Sequence, residues 1–147
     1  NVFMKNSENM FEHAMELKKK MQLKKNVDFL IIDIHAEITS EKMALGHFYD
    51  GEATCVIGTH THVPTADTRI LEKGTAYQTD LGMCGDYNSV IGMNKENSLK
   101  KFLKQGDAKG HFPSVGEATL SGIIVEACEK TGLAKKVHRF IEGGRLK

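Results

Sequence analysis

The chain has 147 residues, with 20 lysine and arginine residues against 19 aspartate and glutamate residues and a formal net charge of +1. This length fits one domain with a sizeable core, and the balanced charge argues against a dedicated nucleic-acid surface or an electrostatic membrane surface. Because no apolar run has membrane-spanning length and the three cysteines lack a C-x-x-C spacing, we expect one cytoplasmic domain over residues 1–147 whose partner is a small molecule or another protein.

The first half of the sequence predicts two helices that alternate with two strands. Apolar residues at helical spacing over residues 7–25 indicate an amphipathic helix, and a second, shorter helix is predicted over 40–49. The nearly continuous apolar runs at 27–34 and 53–57 are typical of strands that are buried on both faces. These elements predict the α/β fold class.

The second half predicts two antiparallel strand pairs with a helix between them. The strand pairs are 68–71 with 75–80, and 119–128 with 133–142. Asn94 is the predicted N-cap of a helix around 95–104. The spacing of Leu99, Phe102 and Leu103 predicts that these side chains face inward.

Three histidines follow the two predicted buried strands. His35 comes directly after the first strand, and His60 and His62 follow the second. Ligands bind beyond the carboxyl ends of strands in open α/β sheets, and neutral imidazole is a common ligand of zinc, iron and manganese. Alternating positions in an extended segment would aim His60 and His62 the same way. The pattern therefore favours a metal site, with hydrogen-bonded structural histidines as the alternative.

Three carboxylates lie close to these histidines in the sequence. Asp33 and Glu37 flank His35, and Asp67 follows the later histidine pair. We interpret them either as further or substitute metal ligands, or as acceptors that fix the tautomer of a ligating ring. The remaining histidines are interpreted as structural or surface residues: His13, His47, His111 and His138.

Four strings of residues carry a resemblance to a known family. They are "DFLIIDIHAEITSEKMALG", "VIGTHTHVPTADTRIL", "GTAYQTDLGMCGDYNSVIGM" and "TLSGIIVE". Together they extend from about Asp28 to Val125 and resemble the C-terminal half of the bacterial calcineurin-like metallophosphoesterases of the YmdB type. The resemblance implies the C-terminal half of a four-layer α/β/β/α sandwich that hydrolyses 2′,3′-cyclic nucleotides to a nucleoside monophosphate.

The resemblance also implies a site for two divalent cations, which are iron, manganese or zinc. By their places in the motifs, His35 and His60 would ligate one cation and His62 the other. Two cations in such a site clamp the phosphate, lower the pKa of a bridging water and stabilise the charge that develops during attack.

The sequence departs from this family in its missing motifs. It contains no G-E-N, no G-N-H and no early strand that ends in D-x-x-G. The resemblance therefore assigns this chain no general-acid histidine and no catalytic residue. Because these motifs are missing and the chain begins with Asn1 rather than Met, we interpret it as a partial metallophosphoesterase without the N-terminal half, either a fragment, a split product or a natural truncation.

Three functional hypotheses follow. The first is the C-terminal part of a phosphodiesterase for a small phosphodiester or cyclic nucleotide, impaired when it acts alone. The second is a non-catalytic relative that binds metal or phosphate and forms a homo-oligomer over the sheet edge that the missing half would cover. The third is an unrelated hydrolase such as an amidohydrolase, which is disfavoured because 147 residues are too few for a barrel of that kind.

Overall fold

The computed structural model describes residues 9–106 and 110–146. In chain order, the elements are α1 (Met10–Lys20), β1 (Ile31–His35), α2 (Thr39–Phe48), β2 (Cys55–Thr59), β3 (Arg69–Ile70), β4 (Ala76–Gln78), α3 (Lys95–Phe102), β5 (Leu120–Ala127) and β6 (Ala134–Glu142). None of the helices in these ranges is long and apolar enough to cross a membrane.

The strands form two sheets. The larger sheet has the order β1-β2-β4-β3, in which β1, β2 and β4 run parallel and β3 is antiparallel to β4. The smaller sheet is the antiparallel pair β5 and β6. Both predicted antiparallel pairs are therefore confirmed. Because β1 and β2 are parallel, their carboxyl ends lie at one edge of the sheet, where His35 pairs with Thr59.

The larger sheet is covered on its two faces by different elements. On one face, α1 and α2 pack over a core cluster that includes Ile34, Val56 and Tyr77. On the other face, a second cluster around Cys55 and Ala76 joins the sheet to β5 and β6. Alternate side chains of a strand point to opposite faces, so the neighbours Cys55 and Val56 belong to different clusters. The layers are helices, four-stranded sheet and two-stranded sheet.

The first helix is shorter than the sequence predicts. The side chain of Asn9 accepts a hydrogen bond from the Phe11 amide at 3.0 Å, which caps α1 at its first turn. The predicted start at residues 7 and 8 lies outside the described residues. The helix ends at Lys20 with three lysines in its last turn, where cations interact favourably with the helix dipole.

The prediction that β1 is buried on both faces is wrong. β1 is an edge strand, and its Ile34 side chain is 5% exposed whereas Ile31 is 67% exposed. Ile31 and Phe29 instead line an open apolar cavity of about 660 Å³ between the larger sheet and β5. An apolar surface of this kind is compatible with association, and the homo-oligomer stays a prediction.

The prediction that α3 has an inward apolar face is also wrong. Its cap is confirmed, because the Asn94 side chain accepts from the backbone amide of Asn97 at 2.9 Å. Ser98 is the buried residue of this helix. The residues expected to face inward are instead exposed: Leu99 by 53%, Phe102 by 77% and Leu103 by 60%. Helical spacing identified residues that share a face, but no described element covers that face.

Gly58 in β2 is closely packed against the backbone of Thr79 and the side chain of Lys42. A Cβ atom at this position would lie 1.8 Å from the carbonyl oxygen of Thr79 and 2.8 Å from Cδ of Lys42. We expect Gly58→Ala to lower the free energy of unfolding by about 3 kcal/mol, because overpacking forces backbone shifts. Urea unfolding should be compared with Gly122→Ala, whose Cβ would meet nothing within 4 Å. Equal stability of the two variants would refute this expectation.

Candidate metal centre

His35 and His60 lie side by side at the carboxyl ends of β1 and β2. Nε2 of His35 is 3.1 Å from Nδ1 of His60, and the ring centroids are 4.9 Å apart. Two nitrogens that each bind one cation at about 2.1 Å are separated by roughly 3.0–3.4 Å in octahedral or tetrahedral geometry. The distance between these two nitrogens therefore suits a shared cation.

The outer nitrogens of both rings already have hydrogen-bond partners. Nδ1 of His35 lies 3.0 Å from Oγ1 of Thr59, which in turn donates to Oδ1 of Asp33 at 3.0 Å. Nε2 of His60 lies 2.6 Å from Oε2 of Glu37. These acceptors favour N–H on the outer nitrogens, which leaves lone pairs facing each other on the inner nitrogens. Facing lone pairs need a proton or a cation between them, so the donor set fits a divalent metal.

The two carboxylates that flank His35 in the sequence, Asp33 and Glu37, help to orient the two histidine rings. Asp33 accepts from the hydroxyl that orients His35, and Glu37 contacts the outer nitrogen of His60. Of the two interpretations made from the sequence, this geometry favours acceptors that fix a ring tautomer.

His62 contacts a different part of the structure. Its Nδ1 lies 2.8 Å from the carbonyl oxygen of Ile91, in the loop before α3. A carbonyl can only accept, so Nδ1 carries the proton and Nε2 keeps the lone pair for a ligand. The segment is not extended as the sequence suggested, because φ is +116° at His60 and +66° at His62. The two rings are therefore not placed as alternate residues of an extended strand would place them.

Asp67 forms a separate network. Its carboxylate accepts from the hydroxyl of Thr65 at 2.6 Å, from the hydroxyl and amide of Thr79 at 2.6 and 3.1 Å, and from Arg69 at 3.0 Å. Burial alone would raise the pKa of Asp67, but these hydrogen bonds outweigh it and lower that pKa. Within residues 9–106 and 110–146, Asp67 forms no hydrogen bond with a histidine. We interpret it as an anchor of the β3–β4 hairpin.

A buried ion pair that the sequence analysis did not single out lies next to the segment His60–Thr61–His62. Nζ of Lys42 is 2.8 Å from Oδ2 of Asp80, and the two side chains are 1% and 0% exposed. Oδ2 also accepts from the amide of Thr61 at 2.9 Å, and Oδ1 accepts from the amide of Gly82 at 2.9 Å. Thr61 is the residue between the two histidines of the motif.

The sequence does carry a signal for this pair. Lys42 lies three and seven residues before Leu45 and Tyr49, which are both buried. These spacings place a lysine on the apolar face of α2. A fully buried lysine is almost always paired. The pattern therefore predicts a carboxylate partner, although it does not identify Asp80.

The described histidines supply only part of a metal-binding set. Within the described ranges, no group of three or more histidine, cysteine, aspartate or glutamate side chains is arranged to hold a metal ion. Catalytic zinc sites use three protein ligands. The distance between the inner nitrogens of His35 and His60, and the tautomers of both rings, suit one shared cation. His62 offers one further nitrogen, Nε2, because its Nδ1 contacts the carbonyl of Ile91. Further ligands are needed to complete either position.

The mixed α/β fold, with its parallel strands and its histidines at their carboxyl ends, is of the calcineurin-like class, as the family resemblance implies. More specifically, the chain belongs to the family described as YmdB-like protein, whose family model matches residues 1–140. It is 46% identical over 122 residues to the 2′,3′-cyclic-nucleotide 2′-phosphodiesterase of Bacillus subtilis (strain 168). That alignment covers 80% of this chain and 44% of the relative.

Two crystal structures share this fold. A hypothetical protein from Thermus thermophilus matches with a TM-score of 0.83 and 35% identity, over 99% of this chain and 55% of that one. A novel phosphatase from Mycoplasma pneumoniae matches with a TM-score of 0.81 and 40% identity, over 92% of this chain and 47% of that one. The resemblance seen in the sequence is therefore confirmed, and the chain spans about half the length of these relatives.

Proposed function

We propose that this chain supplies histidine ligands to a two-cation phosphodiesterase site whose substrate is a 2′,3′-cyclic nucleotide. The observation that carries the proposal is the 3.1 Å approach of Nε2 of His35 to Nδ1 of His60. Since their outer nitrogens contact acceptors, both inner nitrogens present lone pairs to one point. The printed name of the Bacillus subtilis relative supports the substrate class.

The three histidines have distinct roles in this proposal. His35 and His60 hold one divalent cation and His62 holds the other, with iron, manganese or zinc as the metals that imidazole nitrogen suits. Cations held by these residues would supply Lewis-acid chemistry: binding of the phosphate, a lowered pKa of a bound water and stabilisation of developing negative charge.

Hydrogen bonds from the protein hold these rings in orientation. The acceptor for His35 is Thr59, backed by Asp33; the acceptor for His60 is Glu37; and the acceptor for His62 is the carbonyl of Ile91. Such partners fix the tautomer and raise the basicity of the ligating nitrogen. The chain thus contributes ligand geometry as well as ligand atoms.

The remaining ligands and the general acid belong, in this proposal, to a part of the fold that the chain does not contribute. The sequence has no G-E-N or G-N-H segment, and relatives have about twice the matched length. That length, in the same protein or in a partner chain, would complete the site.

A second candidate function is a metal- or phosphate-binding relative that forms a homo-oligomer and does not catalyse. The incomplete donor set among the described residues favours it, and so does the open apolar cavity beside β1. The two candidates differ in whether an added partner of complementary sequence raises hydrolysis.

For activity, we expect this chain alone to hydrolyse 2′,3′-cyclic AMP slowly in the presence of Mn²⁺. We expect His60→Ala to reduce the residual rate at least about 100-fold, because losing even a supporting partner of a ligand costs 10–100-fold. Chromatographic detection of the nucleoside monophosphate measures both rates. His138→Ala is the matched control, because His138 is an exposed histidine of β6.

Two results would contradict these expectations. Rapid hydrolysis by the wild-type chain that is lost in His60→Ala would show that the chain holds a complete site. A rate that is the same in His60→Ala and in His138→Ala would refute the assignment of His60 as a ligand.

A further inference from the structure

We propose that the buried Lys42–Asp80 pair positions the segment His60–Thr61–His62 and thereby fixes the positions of the two histidines that would bind the cations. The inference rests on the proposed function and deepens it. Lys42 and Asp80 are positioning residues in this account, because their contacts are with the backbone and with each other rather than with the metal.

Asp80 connects three parts of the fold through one carboxylate. Oδ2 accepts from Nζ of Lys42 at 2.8 Å and from the amide of Thr61 at 2.9 Å, while Oδ1 accepts from the amide of Gly82 at 2.9 Å. These groups belong to α2, to the histidine segment and to the loop after β4. Because the side chain of Asp80 is fully buried, water does not replace these bonds.

The backbone on both sides of Thr61 requires such support. His60 and His62 have φ values of +116° and +66°, a region that residues with a side chain rarely adopt. Conformations of this kind persist only where the surroundings hold them, and they are concentrated at functional sites. The hydrogen bond from the Thr61 amide to Asp80 lies between the two strained residues, so it fixes the peptide plane that separates the two ligands.

Lys42 holds the other side of this arrangement. Its Cδ packs against Gly58 so closely that a Cβ there would lie 2.8 Å away, and its side chain is 1% exposed. Its ammonium group balances the charge of Asp80 in a place where an unpaired charge is strongly unfavourable. The position of α2 is thereby coupled to Gly58 in β2, two residues before His60.

The test uses a double variant that carries both Lys42→Met and Asp80→Asn, and compares it with the wild type. It removes both charges together, which avoids an unpaired buried charge. The amide left at position 80 has one acceptor oxygen in place of two, so the backbone amides of Thr61 and Gly82 compete for it. We expect the Thr61 amide to exchange at least about 10-fold faster, measured by NMR without metal. We expect the affinity for Mn²⁺, measured by calorimetry, to fall about 10–100-fold.

Asp50→Asn is the matched control. Asp50 is also buried and accepts from the backbone amides of Lys73 and Thr75, at the opposite end of β4. We expect this variant to lose stability but to keep the Mn²⁺ affinity of the wild type. Unchanged affinity in the double variant, or an equal loss in Asp50→Asn, would overturn the proposal.

Two further measurements keep the test decisive. If the wild-type chain binds no Mn²⁺, the proposed function fails, and the imidazole ¹⁵N signals of His60 and His62 decide the positioning role: altered signals in the double variant support it and unaltered signals overturn it. If the double variant does not fold, Lys42→Gln removes the ammonium group that balances Asp80, and we expect faster exchange of the Thr61 amide and weaker Mn²⁺ binding in this variant too. Unchanged Thr61 exchange and Mn²⁺ affinity in Lys42→Gln would also overturn the proposal.

Discussion

His60→Ala is expected to lower the affinity of the chain for Mn²⁺ by at least about 100-fold, since loss of a mere hydrogen-bond partner of a ligand costs up to that factor. The change removes one of the two nitrogens that face each other across 3.1 Å, together with the ring that Glu37 orients. Calorimetric titration with Mn²⁺ measures the loss, and elemental analysis of the purified protein provides an independent check.

The same experiment separates the two cation positions. His35→Ala should reproduce the effect of His60→Ala, because both rings bind the same cation in the proposed site. His62→Ala should instead lower the stoichiometry at the other position, since its Nδ1 contacts Ile91 rather than the other two rings. His138→Ala provides the control. If the metal content and the affinity are unchanged in His60→Ala and His62→Ala, the alternative of structural, hydrogen-bonded histidines is correct.

Asp80→Asn is expected to lower the free energy of unfolding by about 3–5 kcal/mol, because removal of one partner from a buried ion pair leaves an uncompensated charge. The side chain of Lys42 is 1% exposed and its carboxylate partner is fully buried. Urea unfolding at pH 7 measures the effect. Asp28→Asn is the control, because Asp28 pairs with Lys24 at 2.8 Å but is 85% exposed, and exposed pairs contribute little. Equal stability of the two variants would refute the prediction.

The loss in Asp80→Asn should depend on pH. Burial alone would raise the pKa of Asp80, but hydrogen bonds from Lys42, Thr61 and Gly82 outweigh it and hold that pKa below the ordinary value of 3.8. A lowered pKa in the folded state stabilises the fold above the unfolded-state pKa, and this contribution disappears as the pH falls through the folded-state pKa. The stability difference between wild type and variant should therefore shrink below about pH 4. A constant difference from neutral to acid pH would contradict this.

The meeting of His35 and His60 could be predicted from the sequence, but the separate direction of His62 could not. Buried strands are recognisable from apolar runs, and parallel strands bring their carboxyl ends to one edge. The direction of His62 depends on left-handed backbone at a residue other than glycine, which has no local sequence signal. It also depends on the carbonyl of Ile91, 29 residues later in the chain.

Burial was predicted less well than element type, for a physical reason. Periodicity shows which side chains share a face, but it does not show whether another element covers that face. Ile31 and Phe102 are therefore 67% and 77% exposed although they occupy apolar positions of their elements. Lys42 is the opposite case, since its position on an apolar helix face is a signal for a buried partner.

The contact between His35 and Thr59 also bears on how β1 and β2 find their alignment during folding. A slip of one residue would turn every side chain of β1 to the other face. Apolar burial opposes such a slip, because Ile34 is buried and Ile32 packs against the same core, whereas Ile31, Asp33 and His35 are exposed. In a slipped pairing, Nδ1 of His35 would lose its acceptor at Thr59. The hydrogen bond that orients His35 thus also discriminates against misaligned strands.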